Sequence, residues 1–373
     1  MQIEDIALTM VRGLGVKGIV HLLECFGSAA EVFAQSAESL AVGAELRDDI
    51  VRNILSRSSF AEAERELQYC RRNDIRPVAS TDHEYPQIMR ETDDYPHVIY
   101  VRGSTEALSK RTITFVGTRQ MTPYGERVCN TLIGGLAERL PDLCIVSGLA
   151  YGIDGASHRA AILNGIPTVA VIANALPDVS PTAHTQLARD IISRGGAIVT
   201  ELNSQSRQKG NFYISRNRIM AALGYGTVVV ESNASGGSLA TAKFADGYNR
   251  SVMAVPGRIS DTFSTGCNLL IRNRKAQAVI SAEDIITELM WDMDLPADIR
   301  SATGGSDILE QLLPVERRIL ECFGTSDTLS SAELSDRTGM NIGELSAHLM
   351  SMEISGAVRQ LPGNIFEKLI NEL

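Results

Sequence analysis

The sequence predicts an α/β protein built on a parallel sheet with helices on both faces, flanked by a helical block and a small C-terminal domain. Two observations carry this. Apolar, β-branched runs of four to six residues recur through residues 76 to about 290, separated by amphipathic helical segments. Strands buried on both faces of a βαβ sheet have that pattern. Helical periodicity precedes the region, and three helices with a strand–turn–strand follow it.

Residues 1–75 read as short helices: IEDIALTMVRGLG, GIVHLLECFGS, AAEVFAQS, AELRDDIVRNIL and SFAEAERELQYCRRN. RGLGVKGIVHLLECFGS sets a Gly-x-Gly turn between two of them, as in a helix–hairpin–helix that meets a nucleic-acid phosphate. The same pattern serves simple helix packing, and only Arg12 and Lys17 flank the turn.

Residues 76–291 form the central domain. VIYVRG ends a Pro-containing lead-in and adds a strand before the first βαβ unit. TITFVG, LCIVSG, TVAVIA, AIVTEL, TVVVES and SVMAVPG are the strands that follow. Residues 292–305 have linker composition, with Pro, Gly and Ser and no periodicity. Residues 306–373 then give three helices and a Gly-tipped hairpin, the pattern of a winged helix. Such a domain reads DNA with its third helix, but here that helix carries Glu344, Glu353 and His348 and no Lys or Arg. Phosphate contact needs cations, so a protein-contact role is expected for this domain.

Composition narrows the class. The 373 residues are 44% hydrophobic and 21% charged, as in an ordinary soluble protein. No apolar stretch approaches the roughly 20 residues that span a bilayer. The N-terminus has acids where an export signal has basic residues, so a cytoplasmic location is expected. Six scattered cysteines form no C-x-x-C and no metal-ligand spacing, which predicts reduced thiols and no metal site. The formal net charge of -10 is unevenly spread: residues 203–275 hold ten cations against three acids, and residues 306–373 five against eleven. A local basic zone on an acidic protein can hold an anion.

The sharpest features fall at strand ends, where ligands bind on such sheets. In VGTRQMTPYG, Gly117 permits a tight turn and Arg119 can grip a phosphate. In SGLAYGIDGASH, Ser147 and Gly148 precede a helix whose first N–H groups face outward. Asp154 reads as a cap or a partner for a cation, and His158 as structural. In VESNASGGSLATA, Ser235, Gly236, Gly237 and Ser238 form a second nest of N–H donors. The loop lacks the Gly-Lys-Ser/Thr of a triphosphate site, and VGTRQM is no dinucleotide fingerprint, so no cofactor is expected. Arg258, Gly266 and Asn268 lie at a further strand end.

KGNFYISRNRIMAALG concentrates cations without a carboxylate. For a helix from about Arg216, turning about 100° per residue, Ile219, Met220 and Leu223 define one face with Arg216 in its middle. Arg216 then needs an anion, either a carboxylate such as Glu231 or a bound phosphate. Arg218 points nearly the opposite way and is expected to be the more exposed partner. Lys209 and Phe212, in the loop before the helix, would add a phosphate contact and a stacking surface.

Taken together, VGTRQMTPYG, SGLAYGIDGASH, IVTELNS, KGNFYISRNRIMAAL, VVVESNASGGSLATA, AVPG and TGCNLLI, in that order, resemble the DprA/Smf family of DNA-processing proteins. The resemblance spans nearly the whole chain. It implies a helical SAM-like N-terminal domain, an extended Rossmann-like domain and a winged-helix-like C-terminal domain. It further implies sequence-independent binding of single-stranded DNA, a homodimer through the Rossmann-like domain, loading of the RecA recombinase in natural transformation, and no catalytic reaction. The phosphate pocket it implies comprises Arg119, Ser147, Gly148, Lys209, Phe212, Arg216, Asn217 and Arg218, with Ser235, Gly236, Gly237, Ser238 and Asn268 nearby. NALPDVSPTAHTQL, residues 174–187, departs from the family's Gly-Leu-Asp and Tyr-Pro pattern, so the resemblance implies no contact from this loop. A nucleoside-monophosphate hydrolase of related fold is the alternative, with Glu231 and Asp154 as its only local acids. A winged-helix transcription regulator is a third reading, disfavoured by the acidic third helix.

Overall fold

The computed structural model describes residues 1–206, 212–294, 312–324, 328–354, 357–361 and 363–368. The chain divides into two compact units, Met1–Trp291 and Asp292–Leu373.

The first unit opens with five helices: α1 (Ile3–Thr9), α2 (Val16–Phe26), α3 (Ala29–Ala34), α4 (Asp48–Leu55) and α5 (Phe60–Arg72). Their apolar residues recur at helical spacing, and local chemistry marks their ends. Ser28 caps α3 by accepting from the Glu31 amide at 3.2 Å, and Gly27 takes φ 84 after α2. The break read at residue 75 is not a break in packing. Ile6, Leu22, Val32 and Ile54 share one core with Val98, Tyr100, Ala170 and Ile198 of the sheet. Lys17, the cation after the Gly-x-Gly turn, pairs with Asp93 at 2.6 Å.

The sheet has nine strands: β1 (Arg76–Ala79), β2 (Val98–Gly103), β3 (Arg111–Val116), β4 (Leu143–Ser147), β5 (Thr168–Val171), β6 (Ala197–Thr200), β7 (Gly226–Val229), β8 (Ser251–Ala254) and β9 (Gln277–Ala278). Their order is β1-β2-β6-β5-β4-β3-β7-β8-β9. From β6 to β9 all neighbours run parallel, while β1 and β2 form an antiparallel edge. Every strand read from the sequence is present. The two others lacked a signal: β1 contains Pro77, tolerated on an edge, and β9 has two residues. The helices α6 (Pro123–Arg139), α7 (Ile153–Leu163), α8 (Thr185–Ser193), α9 (Phe212–Leu223), α10 (Ser238–Gly247), α11 (Thr265–Arg272) and α12 (Ala282–Glu288) complete the unit. Among the parallel strands, chain order runs outward from β3 in both directions, which puts the switch point between β3 and β7.

The second unit contains α13 (Pro314–Glu321), α14 (Ser331–Thr338), α15 (Ile342–Ile354) and the strands β10 (Thr328–Ser330), β11 (Val358–Leu361) and β12 (Ile365–Lys368). The strands form an antiparallel sheet in the order β10-β12-β11. Ile319, Phe323, Leu334, Leu345 and Leu349 form its core, so this is a winged helix. Its third helix, α15, sets His348 3.6 Å from Glu316 of α13. From residue 295 onward, the linker read over 292–305 lies outside the described residues. Among the described residues no helix is long and apolar enough to cross a membrane, and no group of three or more His, Cys, Asp or Glu could hold a metal ion.

Candidate functional site

At the switch point a cleft of about 640 Å³ opens between the chain after β3 and the chain after β7. Residues 117–120, Asp154 of α7, Tyr213, Arg216 and Asn217 of α9, and the loop 235–238 line it. Two glycines allow the backbone to close around it. A Cβ on Gly117 would stand 2.4 Å from Ile153, and one on Gly152, whose φ is 75, would stand 2.1 Å from the Thr118 carbonyl. The Thr118 amide donates to the Glu231 carbonyl at 2.7 Å, and the Ile153 amide donates to the Thr118 carbonyl at 3.2 Å. Arg119 thus rises from a loop strapped at its base. Its side chain is exposed, with the guanidinium 5.4 Å from the centre of the Tyr213 ring. Among the described residues Arg119 has no ion-pair partner.

Arg216 faces the cleft floor, as its helical angle predicts, but its partners differ from those expected. It is 6% exposed. Its Nη1 donates to the Gly148 carbonyl at 2.6 Å and to the Val171 carbonyl. Burial lowers the guanidinium pKa, and the Asp154 carboxylate opposes that shift. Glu231 is not its anion: that carboxylate accepts from the Thr122 amide at 3.0 Å and from the Thr122 hydroxyl, closing the start of α6. Burial raises the Asp154 pKa, with Arg216 pulling it back down. Asp154 does not cap α7, whose cap residue is Gly152; it accepts from the Ala150 amide at 3.3 Å and steadies the turn. Gly148 permits this crowding, because a Cβ there would lie 2.0 Å from Nη1 of Arg216 and 2.6 Å from Asp154. Ser147 is fully buried and donates its hydroxyl to the Phe115 carbonyl at 2.7 Å. It serves the sheet rather than a phosphate.

Arg218 points away from Arg216, as expected, but the expected contrast in exposure is slight, since both are buried. It pairs with Glu201 and donates to the Asp94 carbonyl at 2.6 Å. The lead-in before β2 covers that face of α9, so Arg218 does not line the cleft. α9 starts at Phe212, one turn before Arg216, so Phe212 is helical rather than in a preceding loop. Phe212 does not line the cleft, whereas its neighbour Tyr213 does, together with Phe263; the FY pair was visible in the sequence, but not which ring turns inward. Lys209 lies outside the described residues.

The Asn217 amide donates to the Gly237 carbonyl at 3.3 Å, tying α9 to the 235–238 loop. The Ser235 and Gly236 amides are taken by Asn233, at 3.1 and 3.2 Å, and the Ser238 hydroxyl by Ser232 at 2.9 Å. Of the amides that open α10, those of Leu239 and Ala240 donate to the Gly236 and Gly237 carbonyls at 3.1 Å, which leaves the Ser238 amide suited to an anion. Asn268 clamps Gly257 from both sides, at 3.2 and 2.9 Å, and does not line the cleft. His158 is buried against Thr168 at 2.7 Å, and burial pushes its pKa down to about 3, so it is a neutral structural residue.

A side chamber of about 140 Å³ shares Arg119, Tyr213 and Arg216 with the cleft, and Tyr151, Ser180 and Pro181 complete its wall. The loop 174–187 therefore reaches the site despite its departure from the family pattern.

Residues 76–290 match the family described as DNA recombination-mediator protein A, and residues 307–364 match the DprA winged helix domain. The chain is similar to the protein Smf of Escherichia coli (strain K12), with 32% identity over 282 residues, 75% of this chain and 74% of that protein. The solved structure of DNA processing protein A (DprA) from Streptococcus pneumoniae superposes with a TM-score of 0.66 at 30% identity, over 77% of this chain and 98% of that one. DNA processing protein A from Helicobacter pylori, whose structure concerns its single-stranded DNA binding mode, shares the fold. It superposes with a TM-score of 0.52 at 24% identity, over 59% of this chain and 97% of that one. The chain belongs to the DprA/Smf family of DNA-processing proteins.

Proposed function

We propose that the cleft holds the backbone of single-stranded DNA without regard to sequence, and that the protein is a mediator rather than an enzyme. The observation that carries this is Arg119: an exposed cation, unpaired among the described residues, set over Tyr213 at the mouth of a cleft that the loop opening α10 also lines. A guanidinium and a helix-opening amide suit a phosphate, and an adjacent ring suits an unstacked base of any identity. Lys209 would add a second phosphate contact. In this reading the family's further properties follow: a homodimer through the Rossmann-like domain and loading of the RecA recombinase onto incoming strands in the cytoplasm.

Binding of single-stranded and duplex oligonucleotides, titrated with salt, tests the reading. Single strands should bind tighter at every salt concentration, with little dependence on base composition. Equal affinity for duplex, or a flat salt response, would sink it. Adding the protein to RecA and single strands should shorten the lag before filament growth. The hydrolase alternative has little support, because Glu231 is held by Thr122 and Asp154 by Ala150 and the nearby Arg216. Release of free base from nucleoside monophosphates would revive it.

A further inference from the structure

A second cleft, of about 440 Å³, lies along α8 and is separate in its lining from the switch-point site. Its wall is aliphatic, formed by Leu176, Val179, Ala188, Ile192 and Ile198. Ala188 and Ile192 are four residues apart on one face of α8. Three charged residues edge the slot: Arg102 on β2, Arg189 on α8 and Asp74 after α5. Among the described residues, neither guanidinium meets a carboxylate or a hydrogen-bond acceptor. That is notable for Arg102, which is half-buried on a sheet strand. The hydroxyls in the wall are already committed, Thr185 to the Thr182 carbonyl at 2.7 Å and Ser193 to the Asp190 carbonyl at 3.0 Å.

These features narrow the ligand. Two uncommitted guanidiniums suit a carboxylate or phosphate, and the aliphatic wall suits an apolar side chain. A nucleotide fits poorly: the slot has no aromatic ring for a base, and its neutral hydroxyls are taken. Asp74 would repel a polyanion but can accept an N–H. We propose that this cleft captures the C-terminal end of a partner polypeptide. Its last apolar side chains would lie against Leu176 and Ile192, its terminal carboxylate between Arg102 and Arg189, and a peptide N–H on Asp74. This site stands independently of the DNA reading.

Isothermal titration of the full chain with the tripeptide acetyl-Asp-Leu-Phe tests the proposal. The free acid should bind, and its C-terminal amide should bind about tenfold more weakly, the loss expected for one charge-assisted contact. Arg102→Gln and Arg189→Gln should each weaken the free acid similarly while leaving the affinity for oligothymidylate unchanged. Arg189 lies on an exposed helix position, so its variant remains informative if Arg102→Gln disturbs the sheet. Absence of binding, equal affinity for acid and amide, or binding of AMP that both substitutions abolish would overturn the proposal.

Discussion

Arg119 and Arg216 lie on the same cleft and do opposite work. Arg119 is exposed on a strapped loop and has no ion-pair partner among the described residues; Arg216 is buried beneath it, its guanidinium spent on two backbone carbonyls beside Asp154. One is placed to meet a ligand, and the other builds the floor that holds the loops in place. Arg218, two residues further on, is built into the fold on the far face of the same helix. A count of cations in a segment therefore overstates the contacts it offers. Burial and existing partners decide which charges are available.

Arg216→Ala should have the largest effect, because it leaves Asp154 buried beside unpaired carbonyls. Denaturant unfolding should show a loss of about 3 kcal/mol or more, and oligonucleotide binding should fall with it. If stability held while binding fell, Arg216 would belong with Arg119 as a ligand contact. Arg218→Ala strips a buried ion pair from Glu201 and should cost about 3 kcal/mol, yet the folded fraction should bind DNA as before. Arg119→Ala should reverse that pattern. Stability should change by less than about 0.5 kcal/mol, while affinity falls about tenfold and the logarithmic salt slope drops by about 1.

A pH titration of stability separates the scaffold further. The folded pKa of His158 is pushed down to about 3 from 6.5. Its contribution is thus fully present above pH 6.5 and is lost as pH falls toward 3. His158→Gln should flatten the stability profile over that window without altering DNA affinity at neutral pH. Asp154→Asn should have the smallest effect, a few-fold gain in oligonucleotide affinity, because it removes a carboxylate from the cleft lining. An unchanged affinity would mean that Asp154 acts only on Arg216 and the turn.

Much of this architecture was legible. The buried strands announced themselves because both of their faces pack against helices, and the angle of Arg216 followed from Ile219, Met220 and Leu223 beside it. Edge strand β1 and the two-residue β9 were silent, since an edge or so short a run has no periodic signature. In the site, the Gly-rich loops and Arg119 could be read from local chemistry. The engagement of Ser147 with Phe115, the clamp of Asn268 on Gly257 and the inward turn of Tyr213 rather than Phe212 could not.

By itself the sequence determined the strand–helix alternation, the winged helix, the segregation of charge and the direction each arginine takes from its helix. Tertiary structure decided what stands in that direction. Arg216 meets carbonyls 45 and 68 residues away in the chain, and Arg218 meets one 124 residues away. Helical periodicity reports which way a side chain points. Only the folded chain sets whether carbonyl, carboxylate or open cleft waits there, and so which cations remain free for a ligand.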